Sequence, residues 1–152
     1  MTVFASRADK KMLEDGKELA PRFDENGLIP CITTHAETGD LLMVGYMNAD
    51  SLAKSIECGE AVYWSRSRQE LWKKGETSGQ TQKIVEMRTD CDQDAIWIKV
   101  LVEGNGATCH VGYHSCFYRS VELGEAGAKP PALKFEETSK VYDPDEVYGR
   151  KS

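Results

Sequence analysis

Long apolar runs are missing from this chain. No stretch of eighteen apolar residues occurs, so no membrane-spanning helix is expected. The opening segment, 1–11, lacks a basic region followed by an apolar block, so no secretory leader is expected and a cytoplasmic location is the default. Positive charge is not in excess either: 19 basic residues face 25 acidic ones, a formal net charge of −6. Broad nucleic-acid binding takes most of its affinity from a basic face, so that class is set aside. A small anionic substrate in a locally basic pocket stays open. There is no C-x-x-C pair and no internal repeat.

What remains is an ordinary globular composition, 40% hydrophobic and 29% charged over 152 residues, enough for one domain with its own core. The expected division is a single domain over 1–121 followed by a polar tail over 122–152. That tail includes the connector Gly124-Glu-Ala-Gly-Ala-Lys-Pro-Pro131 and has Tyr142 and Tyr148 as its few anchors. It is expected to wrap the surface or stay partly disordered.

Along the chain, residues 1–22 suggest a short amphipathic helix ending near Pro21. Leu28–Thr34 is β-rich, with Pro30 suited to an edge or a strand start. Glu37-Thr-Gly-Asp40 signals a turn, and Leu41–Met47 reads as the return strand. Asn48 or Asp50 is placed to cap a helix through Cys58, with Leu52, Ile56 and Ala53 on its apolar face and Gly59 ending it. Ala61–Arg68 reads as a strand entering a basic loop, and Lys83–Arg88 as another strand. Ile96, Ile98, Val100 and Val102 share one strand face by period two. Asn105-Gly106 signals a hairpin, with the chain returning through Cys109.

Chemistry concentrates between Asp90 and Arg119, which holds three of the five cysteines, two of the three histidines and the alternating Asp90, Asp92 and Asp94. An odd cysteine count in a reducing compartment favours thiols or metal ligands over disulfides. Cys31 and Cys58 read as small core residues. Cys91, Cys109 and Cys116 supply three thiolate ligands of the kind a catalytic zinc uses, leaving a fourth position open. Scattered core cysteines are the bland alternative. Cys109 and Cys116 are separated by an odd number, so a regular strand would point them apart. Convergence requires a break, for which Gly112 is placed, or ligands from two subunits. His110 is either a polar strand residue or, beside a metal-bound water, a proton carrier. His114 has the same bland reading and no stronger case.

On an extended segment the three aspartates would face one way and Cys91 the other. Crowded carboxylates suit a hard cation such as magnesium, and a solvated acidic strand entrance is the alternative. An EF-hand loop is excluded because Ala95 stands where glycine is needed and Leu101 where glutamate is. His35-Ala-Glu37 has the H-x-E form of base deaminases but lacks their downstream P-C-x-x-C, and is discounted. Arg66, Arg68, Lys73 and Lys74, with Thr77 and Ser78 between flexible glycines, form a basic loop suited to phosphate oxygens or simply to solvent. Trp64 and Trp72 could stack a base, or belong to the core.

Asp90-Cys-Asp-Gln-Asp94 and Cys109-His-Val-Gly-Tyr-His-Ser-Cys116-Phe-Tyr-Arg119 closely resemble the phosphoribosyl-AMP cyclohydrolases of histidine biosynthesis. Tyr63-Trp-Ser-Arg-Ser-Arg68, Leu71-Trp-Lys-Lys-Gly-Glu-Thr-Ser-Gly79 and Val44-Gly-Tyr-Met-Asn48 look like that family's blocks too, and the likeness spans about residues 22–121. The resemblance implies hydrolytic opening of the N1–C6 bond in the adenine ring of phosphoribosyl-AMP. It implies one zinc per subunit on Cys91, Cys109 and Cys116, with ligands shared across a homodimer, and magnesium on Asp90, Asp92 and Asp94. His110 is then the expected catalytic proton carrier. Trp64, Arg66, Arg68, Lys73, Lys74, Thr77 and Ser78 are candidate substrate contacts. The expected fold is α+β, a mostly antiparallel sheet with few short helices, intertwined as a dimer. At His114 the sequence departs from the family, where arginine is common, which puts a phosphate contact there in doubt. The tail is too short for the pyrophosphohydrolase domain fused to some relatives, so a monofunctional chain is expected.

Overall fold

Apolar residues on alternate positions between Ile96 and Val102 build the strand on which the molecule is centred. A computed structural model describes residues 2–141 except 8, 125, 126, 128 and 138; the expected anchors Tyr142 and Tyr148 lie outside the described residues. The elements run α1 (Lys10–Asp15), β1 (Ile29–His35), β2 (Leu41–Met47), α2 (Ala49–Cys58), β3 (Val62–Ser65), β4 (Glu70–Lys73), β5 (Gln82–Thr89), β6 (Ile96–Val102), β7 (Arg119–Val121) and β8 (Leu133–Phe135). The main sheet has the order β2-β1-β6-β5, and β3-β4 and β7-β8 are separate hairpin-like pairs. Among the described residues only β1 and β6 pair in parallel, and the other strand pairings are antiparallel. The α+β, mostly antiparallel expectation holds.

The core follows the period-two pattern. Ile96, Ile98 and Val100 of β6 lie against Ile29 and Cys31 of β1, Leu42 and Met47 of β2, Leu52 of α2 and Tyr63 of β3. Each such aliphatic side chain contributes about 1.5–3 kcal/mol by leaving water. Pro30 sits at the start of β1, one residue before the pairing with β6 begins at Cys31, so its missing N–H interrupts nothing there. Asn48 caps α2 in a reciprocal box with Ser51, and Gly59 ends the helix at φ 73°.

Several expectations change. The amphipathic N-terminal helix shrinks to six residues with none buried, because Gly16 stops it and its segment is held by hydrogen bonds instead of an apolar face. Ile56 is exposed, and the buried face of α2 is Ser51, Leu52 and Ser55. The Ser55 hydroxyl donates to the Val62 carbonyl (3.1 Å) and accepts from the Val62 N–H (2.9 Å), which ties helix to strand more specifically than an isoleucine would. Cys58 is exposed, not core, because it ends that helix at the surface. Glu70–Lys73, expected as loop, is a strand paired with β3. The Asn105-Gly106 hairpin does not form. Both edges of β6 are already occupied by β1 and β5, so no edge is open to a returning strand. Gly104 and Gly106 take the positive φ values, while the Asn105 carboxamide oxygen accepts from Gln80 Nε2 (2.7 Å) and the Ala107 N–H (3.0 Å).

Candidate active site

Because β6 cannot be extended by a hairpin, residues 103–118 cross the end of the sheet as irregular chain. The loop doubles back on itself. The Thr108 and Cys109 N–H groups donate to the His114 and Tyr113 carbonyls (both 3.1 Å), and Gly112, at φ 109°, donates to the Cys109 carbonyl. This break sets the Cys109 and Cys116 side chains near enough for each to shift the other's ionisation. It lies at the expected glycine. From the other side the Cys116 N–H donates to the Leu42 carbonyl (2.7 Å) and the Ser115 hydroxyl to the Leu41 carbonyl (2.6 Å), fastening the loop to β2.

The two thiols behave as one unit with one proton to place. Cys109 is pulled down to about 6, first by the hydrogen bond from Cys116 and, against some burial, by the Val111 N–H. Cys116 is pushed well up, first because its own ionisation would set a second negative charge against Cys109 and then by partial desolvation. A thiolate is therefore ready near neutrality, which suits a soft cation. Cys31, by contrast, is pushed up to about 12 by burial and is inert core.

A cleft of about 520 Å³ opens beside this pair. It is lined by Cys116, His110 and Thr108 from the loop, Ser65 at the end of β3, Ser67 and Arg68 from the turn after it, Trp72 and Lys74 from β4 and its exit, and Gly75, Thr77 and Ser78. The exit folds tightly. A Cβ on Gly75 would lie 2.2 Å from the Thr81 nitrogen, and its φ of 87° is one only glycine adopts easily. Lys74 is buried, and its Nζ donates to the Thr108 carbonyl (2.7 Å) while lying 5.3 Å from the centre of the Trp72 ring. The cleft thus joins the cysteine loop to the basic segment through a cation.

Other sequence candidates fall elsewhere. Arg66 stacks on Tyr46 (4.0 Å to the ring centre) and lines a neighbouring depression with Trp64. Lys73 pairs with Glu60 and faces a third depression with Cys58. His114 sits 3.5 Å from Asp40, while His35 accepts from the Glu37 and Thr38 N–H groups as part of the β1–β2 turn.

Asp90, Asp92 and Asp94 do converge, with one carboxylate oxygen from each within 4.8 Å of the others. An extended strand is not the means. Residues 91–93 form a turn in which Gln93 has φ 56°, and Asp90 Oδ1 accepts the Asp94 (3.0 Å) and Ala95 (3.1 Å) N–H groups. Burial would raise Asp90, but the bonds it accepts from Asp94 and Ala95 outweigh this and hold it below the usual range. Asp94 is raised to about 6, first by its hydrogen bond to Asp90 and then by that to Asp92. The cluster therefore retains a proton that a divalent cation would displace. Sequence reasoning missed Gln93, whose buried amide accepts from the Ala20 N–H (2.8 Å) and donates to the Leu13 carbonyl (3.0 Å). Those long-range bonds leave no local signature.

Cys91 is exposed and lines a depression with Asp90 and the α1 exit. It is absent from the cleft of Cys116 and His110. Among the described residues of one chain the three thiols do not form a group with all ligand atoms within 4.8 Å of one another.

The chain is similar to known proteins along most of its length. Residues 43–118 match the family model described as phosphoribosyl-AMP cyclohydrolase. A phosphoribosyl-AMP cyclohydrolase of Bradyrhizobium diazoefficiens is 57% identical over 136 residues, covering 90% of this chain and 94% of that protein. One from Nitrobacter hamburgensis is 54% identical over 140 residues, covering 92% of each. One from Rhizobium rhizogenes is 54% identical over 144 residues, covering 95% of each. With the cysteine loop and basic segment inside the matched region, the chain belongs to the phosphoribosyl-AMP cyclohydrolase family.

Proposed function

We propose that this chain hydrolyses the N1–C6 bond of the adenine ring of 1-(5-phosphoribosyl)-AMP, in the pathway of histidine biosynthesis. The observation that carries the reading is the cleft where Cys116, coupled to the buried Cys109, and His110 face Arg68, Lys74, Thr77 and Ser78. Family membership supplies the substrate. The donor set fits a zinc ion on Cys109 and Cys116 of one subunit, with Cys91 from a partner subunit as third ligand. When bound, such an ion acidifies a water and polarises what it touches. Asp90, Asp92 and Asp94 fit magnesium, which takes carboxylate oxygens and usually retains waters or substrate phosphates. A homodimer in the cytoplasm is part of the proposal.

The chain's own residues have separable tasks. Arg68 and the hydroxyls of Thr77 and Ser78 bind phosphate oxygens, and Trp72 offers a face for the purine. Arg66 and Trp64 in the adjoining depression, with Lys74, are the further substrate contacts, whereas Lys73 faces Glu60 away from the cleft. Lys74 also holds the Thr108 carbonyl, so its charge serves both the substrate and the loop. His110 takes a proton as water adds at C6 and returns one to N1 as the N1–C6 bond breaks. The water oxygen becomes the carbonyl oxygen, the exocyclic amine becomes the carboxamide, and no ammonia leaves.

Incubating the purified protein with zinc, magnesium and phosphoribosyl-AMP tests this. Loss of the purine chromophore without ammonia is expected, and ammonia release would show a deaminase instead. His110→Ala should retain its metal and lose about 10²–10⁴ in rate. Turnover at the wild-type rate in a metal-loaded His110→Ala protein would remove His110 from its role. A zinc-stabilised binding module would show no turnover and no exchangeable water on the metal.

A further inference from the structure

The family match ends at residue 118, yet the chain beyond it returns to the reaction centre. β7 pairs with β8 in register, Arg119 with Phe135 and Val121 with Leu133. Just past β8, the Glu137 carboxylate accepts two consecutive backbone donors of the cysteine loop, Oε1 from His114 N–H (2.8 Å) and Oε2 from Ser115 N–H (3.0 Å). The Val141 N–H donates to the Gly112 carbonyl (2.6 Å), and the Glu136 N–H to the Tyr118 carbonyl (2.8 Å). Tyr113 and Tyr118 stack at 4.1 Å, with Phe135 against both. The returning segment thus grips the loop on either side of Cys116.

We propose that Glu137 is a positioning residue of the active site, fixing the loop that carries Cys109 and presents His110 and Cys116 to the cleft. The proposal rests on the functional reading above. The loop contains no regular structure and, at residues 114 and 115, two N–H groups that the sheet does not reach. A single ionised carboxylate takes both, and charge-assisted bonds of this kind are about twice as strong as neutral ones. β2 holds the same loop from the opposite side through the Leu41 and Leu42 carbonyls. Fixed on both sides, the turn at Gly112 has one arrangement, the one in which the two thiols are coupled and His110 lines the cleft. A glutamine could accept only one of the two donors, and its amide would confront the other.

The same geometry separates positioning from plain stabilisation. A carboxylate that only added stability would change the melting temperature and the folded fraction, leaving kcat of the folded enzyme as it was. A positioning carboxylate changes kcat at constant KM, because Arg68, Thr77 and Ser78 bind substrate from a different segment.

The test is Glu137→Gln in the full-length protein, read by amide hydrogen exchange at His114 and Ser115 and by steady-state kinetics with zinc and magnesium present. Exchange at these two amides should rise at least tenfold and kcat should fall at least tenfold, with KM within twofold of wild type. Glu137→Asp, which keeps the charge but shortens the reach by one methylene, should give the same pattern more weakly and serves if the first variant does not fold. Glu136→Gln, whose carboxylate accepts only from the Ser120 hydroxyl among the described residues, should change neither readout. Unchanged exchange, or faster exchange with unchanged kcat, would overturn the proposal. If wild type itself proves inactive while Glu137→Gln frees the two amides, the functional reading fails and the strap contact stands.

Discussion

Tyr63 connects the sheet to the floor of the cleft, and replacing it with phenylalanine gives a prediction whose size follows from the structure. Its ring is fully buried, 5.7 Å from the centre of Trp72, which lines the cleft. Its hydroxyl lies 2.7 Å from both Thr33 Oγ1 and Gln82 Oε1, and both partner residues are 0% exposed. Burial pushes the Tyr63 phenol well up, so it is a neutral donor throughout the working range. Removing only the oxygen keeps the packing and leaves two buried polar atoms without this partner. An orphaned buried acceptor costs about 1–3 kcal/mol. Gln82 bears that cost in full; Thr33 bears less, because its hydroxyl can turn. The sum is about 2–4 kcal/mol. At about 2–4 °C per kcal/mol for a chain of this size, the melting temperature should fall by roughly 4–16 °C. Equilibrium urea unfolding of Tyr63→Phe measures it. The same reasoning requires that the triple variant Tyr63→Phe, Thr33→Val, Gln82→Leu recover most of the loss, since removing all partners together leaves nothing unpaired. A single variant within 0.5 kcal/mol of wild type, or a triple variant as unstable as the sum of its parts, would refute it.

Other consequences can be measured separately. Gly45→Ala puts a methyl 2.7 Å from Tyr63 Cδ1, so overpacking should destabilise the fold by about 1–3 kcal/mol in the same urea assay. In metal-free protein, ultraviolet thiolate absorbance should show Cys109 titrating near pH 6, and Cys116→Ala should move Cys109 upward, since its main stabilising bond is gone. Asp94, raised to about 6, is more protonated in the folded chain than in the unfolded one. Its contribution to stability is therefore present at low pH and lost as pH rises through about 6. Magnesium binding should reverse that loss and release protons into weakly buffered solution near pH 6, and Asp94→Asn should abolish the release.

Legibility in the sequence tracked how local each determinant is. Ile96, Ile98 and Val100 announce a strand because period two is written in adjacent residues, and Asn48 with Gly59 brackets α2 for the same reason. The alternating aspartates and the break at Gly112 were readable as chemistry, although the aspartates converge through a turn at Gln93, not along a strand. Asn105-Gly106 misled because a two-residue turn signal says nothing of whether the strand's edges are free, and β1 had taken one of them in parallel. The roles of Lys74, Gln93 and Glu137 were not readable. Each acts on backbone groups more than twenty residues away, at Thr108, at Leu13 and Ala20, and at His114 and Ser115. Such pairings are made by topology.

We propose that the reaction centre is completed between subunits, Cys91 of one meeting Cys109 and Cys116 of the other. Mixing Cys91→Ser and Cys109→Ser proteins after mild dissociation tests it directly. Each variant alone should be inactive. In a twofold dimer, half of the random pairs are mixed and each mixed pair rebuilds one intact site, so roughly a quarter of wild-type turnover should return. If all three thiols acted within one chain, every site in the mixture would carry a defect, and no activity would return.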